Sequence, residues 1–209
     1  MAFQAVTFPK MRLTHGMVKT VIDPMIITGN GVRELRRRQT RFDRFLWSFP
    51  ARNLDQTDVD ALYKFYVQVN RGLDSFRFQD PEFPEYNSSP LLHRSGTTWY
   101  LGIPDDATTG GRHPVFNPVM GSLSFTRNGS PVTPTFSISS DGFPIVTITG
   151  SSGTDDIRVT GPVYMTARFE SPLSFTIVAT SKSALNDSCT PIPTMQLVGD
   201  VNLIEVFEV

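Results

Sequence analysis

Residues 53–81, NLDQTDVDALYKFYVQVNRGLDSFRFQDP, constrain the fold more than any other stretch of the chain. Leu54, Val59, Leu62, Tyr63, Tyr66 and Val69 recur with the period of an α-helix and place one apolar stripe along it. Asn53, Asp55 and Thr57 are candidate N-caps, and Asp55, Asp58 and Asp60 set negative charge at the positive end of the helix dipole. Gly72 follows Arg71 at the point where a left-handed residue ends a helix. Phe76 and Phe78 then share one face of a short strand that stops at Asp80-Pro81. Little else in the chain reads as helix, so this apolar stripe needs a sheet to lie on.

The flanking sequence supplies strands. Phe3, Ala5 and Thr7 alternate with Gln4, Val6 and Phe8 before Pro9, and residues 18–27 (VKTVIDPMII) are β-branched and interrupted by Asp23-Pro24. That interruption predicts two short strands or one bent edge strand. Gly29-Asn30-Gly31 is a turn signal. Residues 82–118 are rich in proline and glycine and read as a long irregular excursion with one short strand near Thr97–Leu101. Residues 122–161 hold short strands punctuated at Asn128-Gly129, Asp141-Gly142 and Gly150–Gly153, the pattern of a small β-meander. Alternation returns at Val163–Phe169, Leu173–Ala179, Met195–Val198 and Val201–Val209.

The most charged segment is residues 31–50, GVRELRRRQTRFDRFLWSFP. As one strand it carries Arg37, Gln39, Arg41 and Asp43 ahead of Phe45, Trp47 and Phe49 on one face, with the aromatic end in the core. The arginine end has three readings: a solvated strand, a contact in which planar guanidinium forks meet carboxylates, or a nucleic-acid surface. A net charge of −1 provides no wider basic field for nucleic acid.

The chain offers no catalytic or metal-binding constellation that spacing alone identifies. His15, His93 and His113 are scattered through loop-like sequence without ligand spacing and read as surface residues. The single cysteine, Cys189, excludes an internal disulfide and a zinc site built on paired thiols, and it lies in a Ser/Thr/Pro-rich turn. The glycine-rich turns do not lead from a strand into a helix, so they are not phosphate loops. Asp105-Asp106 and Asp155-Asp156 lack partners at the spacing of a calcium or glycosidase site. The reading is therefore a protein that is not an enzyme and takes no cofactor. No run approaches the roughly 20 apolar residues that span a bilayer, and the start lacks the apolar core of a secretory signal. A soluble chain made in a cytoplasm is expected.

Several segments, in this order, resemble a known family. They are MAFQAVTFP, GVRELRRRQTRFD, LDQTDVDALYKFYVQVNRGLDSFRFQDPEF, FNPVMGSLSFTRNGSPVT, and VYMTARFES followed by PIPTMQLVGDVNLIEV. The chain is similar to the small tail proteins related to the distal tail protein of long-tailed bacteriophages and gene transfer agents. The most specific part is a helix that ends in Arg-Gly before SFRFQDP; residues 85–115 and 181–190 depart from the family pattern. The resemblance implies a structural virion protein at the tail tip, assembled in the bacterial host cytoplasm. Its partners would be copies of itself in a ring, typically a hexamer, with the tail tube protein on one side and the baseplate hub on the other. The tape measure protein and receptor-binding proteins would be further neighbours, with no specific nucleic acid and no membrane insertion.

A ring of this kind needs one patch to meet a different patch on the next subunit. Arg33, Arg36, Arg38, Arg41 and Arg44 are the expected basic side of that contact, with Asp58, Asp80 and Glu82 among the acids that would receive them. The expected fold is mainly β, a β-sandwich or barrel-like main domain with one amphipathic α-helix packed on the sheet. The main domain would comprise residues 1–84 and 162–209, with residues 85–161 inserted as a β-rich module with irregular loops. The alternative function is a β-sandwich carbohydrate-binding module using Trp99 and Tyr100; a hydrolase has no nucleophile and base that can be named.

Overall fold

A computed structural model describes residues 2–10, 17–22, 26–28, 34–36, 44–50, 54, 56–104, 112–179 and 193–207. The chain is mainly β, with one α-helix among the described residues. In chain order it begins with strands β1 (Phe3–Thr7), β2 (Val18–Ile22), β3 (Ile26–Thr28), β4 (Glu34–Arg36) and β5 (Arg44–Pro50). Helix α1 (Gln56–Gln68) follows, then β6 (Ser75–Phe78), β7 (Glu85–Pro90), β8 (Leu92–Ser95), β9 (Thr98–Tyr100), β10 (Gly102–Pro104) and β11 (Arg112–Pro114). Next come β12 (Ser124–Arg127), β13 (Ser130–Val132), β14 (Thr135–Ile138), β15 (Pro144–Thr147) and β16 (Ile157–Pro162). The chain closes with β17 (Met165–Phe169), β18 (Ser174–Ala179), β19 (Pro193–Val198) and β20 (Asp200–Glu205).

Two compact units are present. The first comprises Met1–Asp23, Arg44–Phe76 and Ala167–Val206; the second comprises Pro24–Asp43, Arg77–Thr166 and Phe207–Val209.

The first unit is built on a six-stranded sheet in the order β1-β6-β17-β20-β5-β2, open at both ends rather than closed into a barrel. Its central strands alternate as a half-buried sheet requires: Phe45, Trp47 and Phe49 are buried on β5, as are Val201 and Leu203 on β20. Helix α1 covers this face. Phe65 meets Phe76 edge-on at 4.8 Å between ring centroids, and Tyr66 meets Phe169 at 5.3 Å. Phe8, just past β1, joins the same cluster through Phe65, Phe76 and Phe49. The buried helix residues are Val59, Leu62, Phe65 and Tyr66, with Val69 beyond its end. Phe65, absent from the stripe read off the sequence, belongs to it. Tyr63 lies at its margin, 38% exposed, with its ring against Phe175 of β18.

The helix ends as its glycine dictates. Gly72 has φ +83°, preceded by Arg71 at φ 53° and Asn70 at φ 52°, so the chain turns through consecutive left-handed residues. The turn delivers Asp74 to the sheet edge, where its carboxylate accepts the Ala2 N–H at 3.1 Å and Gln4 Nε2–H at 3.1 Å. These hydrogen bonds, the Ala2 amide first, lower the Asp74 pKa and pin the start of β1.

The second unit holds two four-stranded sheets, β13-β12-β16-β7 and β14-β15-β9-β8, besides the pairs β10-β11 and β3-β4. The hairpin β12–β13 turns at Asn128-Gly129, as the dipeptide predicts, and the β14–β15 hairpin that follows belongs to the other sheet. Residues 82–118 hold the strand expected near Thr97–Leu101 as β9, but β7, β8, β10 and β11 also stand where an irregular excursion was expected. β7 pairs with β16 and β9 with β15, far along the chain, while β8–β9 and β10–β11 pair locally. Val18–Ile22 and Ile26–Thr28 are two strands, and they belong to different sheets. β4 and β5 likewise lie in different sheets, so the arginine-rich segment is not one continuous strand of a single sheet.

Candidate functional site

The described residues among those expected at a subunit contact belong to different elements. Arg33, Arg38 and Arg41 lie outside the described residues. Arg36 ends β4, opposite Ile26 of β3. Arg44 begins β5, half-buried and opposite Ile22 of β2. Asp58 sits half-buried in the first turn of α1, where its charge suits the helix dipole. Asp80 and Glu82 are brought together, but by a turn. Asp80 is fully buried, its Oδ1 accepts the Glu82 N–H at 3.0 Å, and its carbonyl accepts the Phe83 N–H at 3.1 Å. That carboxylate therefore shapes the turn after β6, and Glu82 alone of the pair is exposed.

His113, expected at the surface, is buried beside the Phe207 ring at 6.0 Å. His93 is half-buried, edge-on to Trp99 at 4.9 Å, with Nε2 3.0 Å from the Gly96 carbonyl. His15 and Cys189 lie outside the described residues. Trp99 is 2% exposed, and its Nε1–H donates to Ser151 Oγ at 3.1 Å, which in turn donates to the Ile148 carbonyl at 2.8 Å. A flat sugar-binding platform needs an exposed ring, and this indole is core. Tyr100 is half-buried against Phe143 at 5.1 Å. Among the described residues, no group of three or more His, Cys, Asp or Glu side chains could hold a metal ion.

Two surface features of the first unit stand out instead. The first is β2, which ends the six-stranded sheet. Its register sets Lys19 opposite Trp47 and Val21 opposite Phe45, so both point to the face whose aromatic row is buried. Lys19 Nζ lies 3.9 Å from the Phe45 ring centroid and covers it. Val21 continues that row yet is 56% exposed, and Val18 is 59% exposed. Among the described residues, no strand pairs with the outer side of β2. The sequence marked this segment as an edge candidate through Asp23-Pro24, but burial alone reveals how much apolar surface it leaves open.

The second feature is a cleft of about 200 Å³ beside the left-handed turn at the end of α1. Arg71, Leu73, Arg168, Glu170 and Pro172 are among the residues that line it. Leu73 is 62% exposed. Two guanidinium groups around an exposed leucine can receive a side chain with both an apolar body and an acidic neighbour. Arg71 and Arg168 are far apart in sequence and line one cleft because β6 and β17 are neighbours in the sheet.

No protein-family model matches the sequence, and no curated protein matches it.

Proposed function

We propose that this chain is a structural subunit of a phage-type tail tip, a ring-forming protein that joins the tail tube to the baseplate hub. Its first partner is another copy of itself. The reading starts from the ordered resemblance of MAFQAVTFP, GVRELRRRQTRFD, the helix leading into SFRFQDP, and VYMTARFES to distal tail proteins. One structural observation supports it: β2 ends its sheet with Val18 and Val21 open to solvent.

A ring closes through unlike patches, one on each flank of the subunit. An edge strand presents a row of N–H and C=O groups that a neighbouring chain can extend, and apolar side chains there gain by being covered. The cleft at Arg71, Leu73 and Arg168 has different chemistry and is suited to the opposite role. A monomeric protein has reason to blunt such an edge with charge or proline, and β2 carries Lys19 as its one charged residue.

The test compares the wild-type chain with a Val18→Lys, Val21→Lys double variant by sedimentation velocity. The wild type is expected to sediment as a closed multimer, and the variant as a folded monomer with an unchanged circular dichroism spectrum. Identical sedimentation of the two proteins would remove β2 from the interface.

A further inference from the structure

Asn128 and Gly129 make the tight turn between β12 and β13, with φ 52° and 82°. Both residues are exposed. This pair of left-handed residues is what a two-residue hairpin uses. An asparagine followed by glycine also has a chemical liability. Glycine carries no Cβ to hinder approach of its backbone nitrogen to the preceding carboxamide carbon.

In this turn the carboxamide is held at both ends. Nδ2–H donates to Asp155 Oδ1 at 2.7 Å, and Oδ1 accepts the Asp156 N–H at 2.9 Å. The Asn128 N–H donates to the Asp156 carbonyl at 2.9 Å. Asp155 is itself fixed by the Ser152 N–H at 2.7 Å and by Arg127 Nη2 at 3.1 Å. The Ser152 amide, then the Asn128 carboxamide, keep Asp155 ionised, with its pKa lowered to about 2. Rotating the Asn128 carboxamide toward the Gly129 nitrogen therefore breaks a charge-assisted hydrogen bond as well as a neutral one.

We propose that Asn128 is a latent site of spontaneous deamidation, restrained in the folded protein by the clasp of Asp155 and Asp156. The reaction is intramolecular. The Gly129 nitrogen loses its proton to solvent and bonds to Asn128 Cγ; the bond from Cγ to Nδ2 breaks, ammonia leaves, and a succinimide ring closes. Water opens that ring at either carbonyl, leaving aspartate at position 128 or its isomer with the backbone routed through the side chain. One water is consumed for each ammonia released, and no oxidant or reductant takes part.

Either product undoes the clasp. Aspartate places a second carboxylate where Asp155 now accepts a hydrogen bond, and two like charges there repel. The isomer lengthens the backbone inside a hairpin whose register pairs Arg127 with Ser130 across only two residues. The modification converts the tip of the β12–β13 hairpin from a locked turn to an open one.

Peptide mass spectrometry with separation of the two isomers, on the full chain held in mildly alkaline buffer, tests this. Asn30-Gly31, the chain's other Asn-Gly pair, is read from the same digests as a reference. Residue 128 is expected to react more slowly in the folded chain than in the same chain in urea. Asp155→Ala is expected to accelerate it about tenfold, as for loss of one charge-assisted hydrogen bond, with the Asn30 rate unchanged. Asp155→Asn, which keeps the volume and an acceptor oxygen, is expected to give a smaller rise and serves if the alanine variant does not fold. Equal rates at position 128 in the folded and denatured wild type would overturn the proposal. So would rates at position 128 that neither variant changes, or a rise at Asn30 and Asn128 in parallel.

Discussion

The carboxylate of Glu205, 2% exposed, accepts the N–H of Phe45 at 3.1 Å across 160 residues of sequence. β20 pairs with β5 from Asp200↔Pro50 to Ile204↔Leu46, and the Glu205 side chain takes the next backbone donor itself. A charged residue thus finishes a ladder that would otherwise leave a buried N–H without its strand partner. Glu205→Ala strands that donor and is expected to cost about 1–3 kcal/mol. Glu205→Gln keeps an acceptor oxygen and is expected to cost less. Urea denaturation of the two variants checks the order; equal midpoints would show that the Phe45 contact contributes nothing.

Gly72 supports a second prediction. Its φ is +83°, and a Cβ there would stand 3.1 Å from both Phe169 Cβ and Tyr66 Cε2. Gly72→Ala combines backbone strain with pressure on the aromatic contact between α1 and the sheet, for a loss of about 1–3 kcal/mol. Gly96 also has positive φ, at +55°, but nothing lies within 4 Å of its added Cβ. Gly96→Ala should therefore lose less. Thermal melts of the pair separate crowding from backbone conformation.

Acid should weaken the fold through two carboxylates. Asp155 is lowered from 3.8 to about 2 by the Ser152 amide and Asn128, and Asp74 is lowered by Ala2 and Gln4. A carboxylate whose folded pKa lies below its unfolded one stabilises the fold above the unfolded value and loses that contribution as pH falls through the folded value. Thermal midpoints are therefore expected to fall between pH about 4 and pH about 2. The fall should be shallower in Asp155→Asn, which has no proton to take up at that site. A wild-type midpoint that is level across this range would contradict the assignment.

Trp99 gives a fourth. Its indole N–H depends on Ser151 Oγ, and both residues are buried. Ser151→Ala is expected to cost about 1–3 kcal/mol, because it removes the acceptor of a buried N–H. Quenching of tryptophan emission by iodide, with Trp47 also fully buried, should stay weak in the folded wild type.

The helix, its left-handed end and the strand with Phe76 and Phe78 were legible because each depends on local spacing and local backbone preference. Phe65 falls outside the stripe because that stripe follows one line of the period, while the covered face is wider and takes in a neighbouring row. β9 matches the strand expected near Thr97–Leu101, whereas β7, β8, β10 and β11 are not legible: they are short, proline stands in β7, β10 and β11, and β7 is held by distant partners such as Ser89↔Val159. The burial of His113 has the same origin, since its neighbour Phe207 is distant in sequence. At the candidate contact surface, charge was the visible signal, whereas Val18, Val21 and Leu73 are ordinary apolar residues until the fold leaves them uncovered.

Negative-stain electron microscopy of the purified chain tests the ring account most directly. Closed particles of one copy number with a central hole are predicted, and the Val18→Lys, Val21→Lys variant should abolish them. A field of single small particles at every concentration, matched by a monomer mass in sedimentation, would contradict the account.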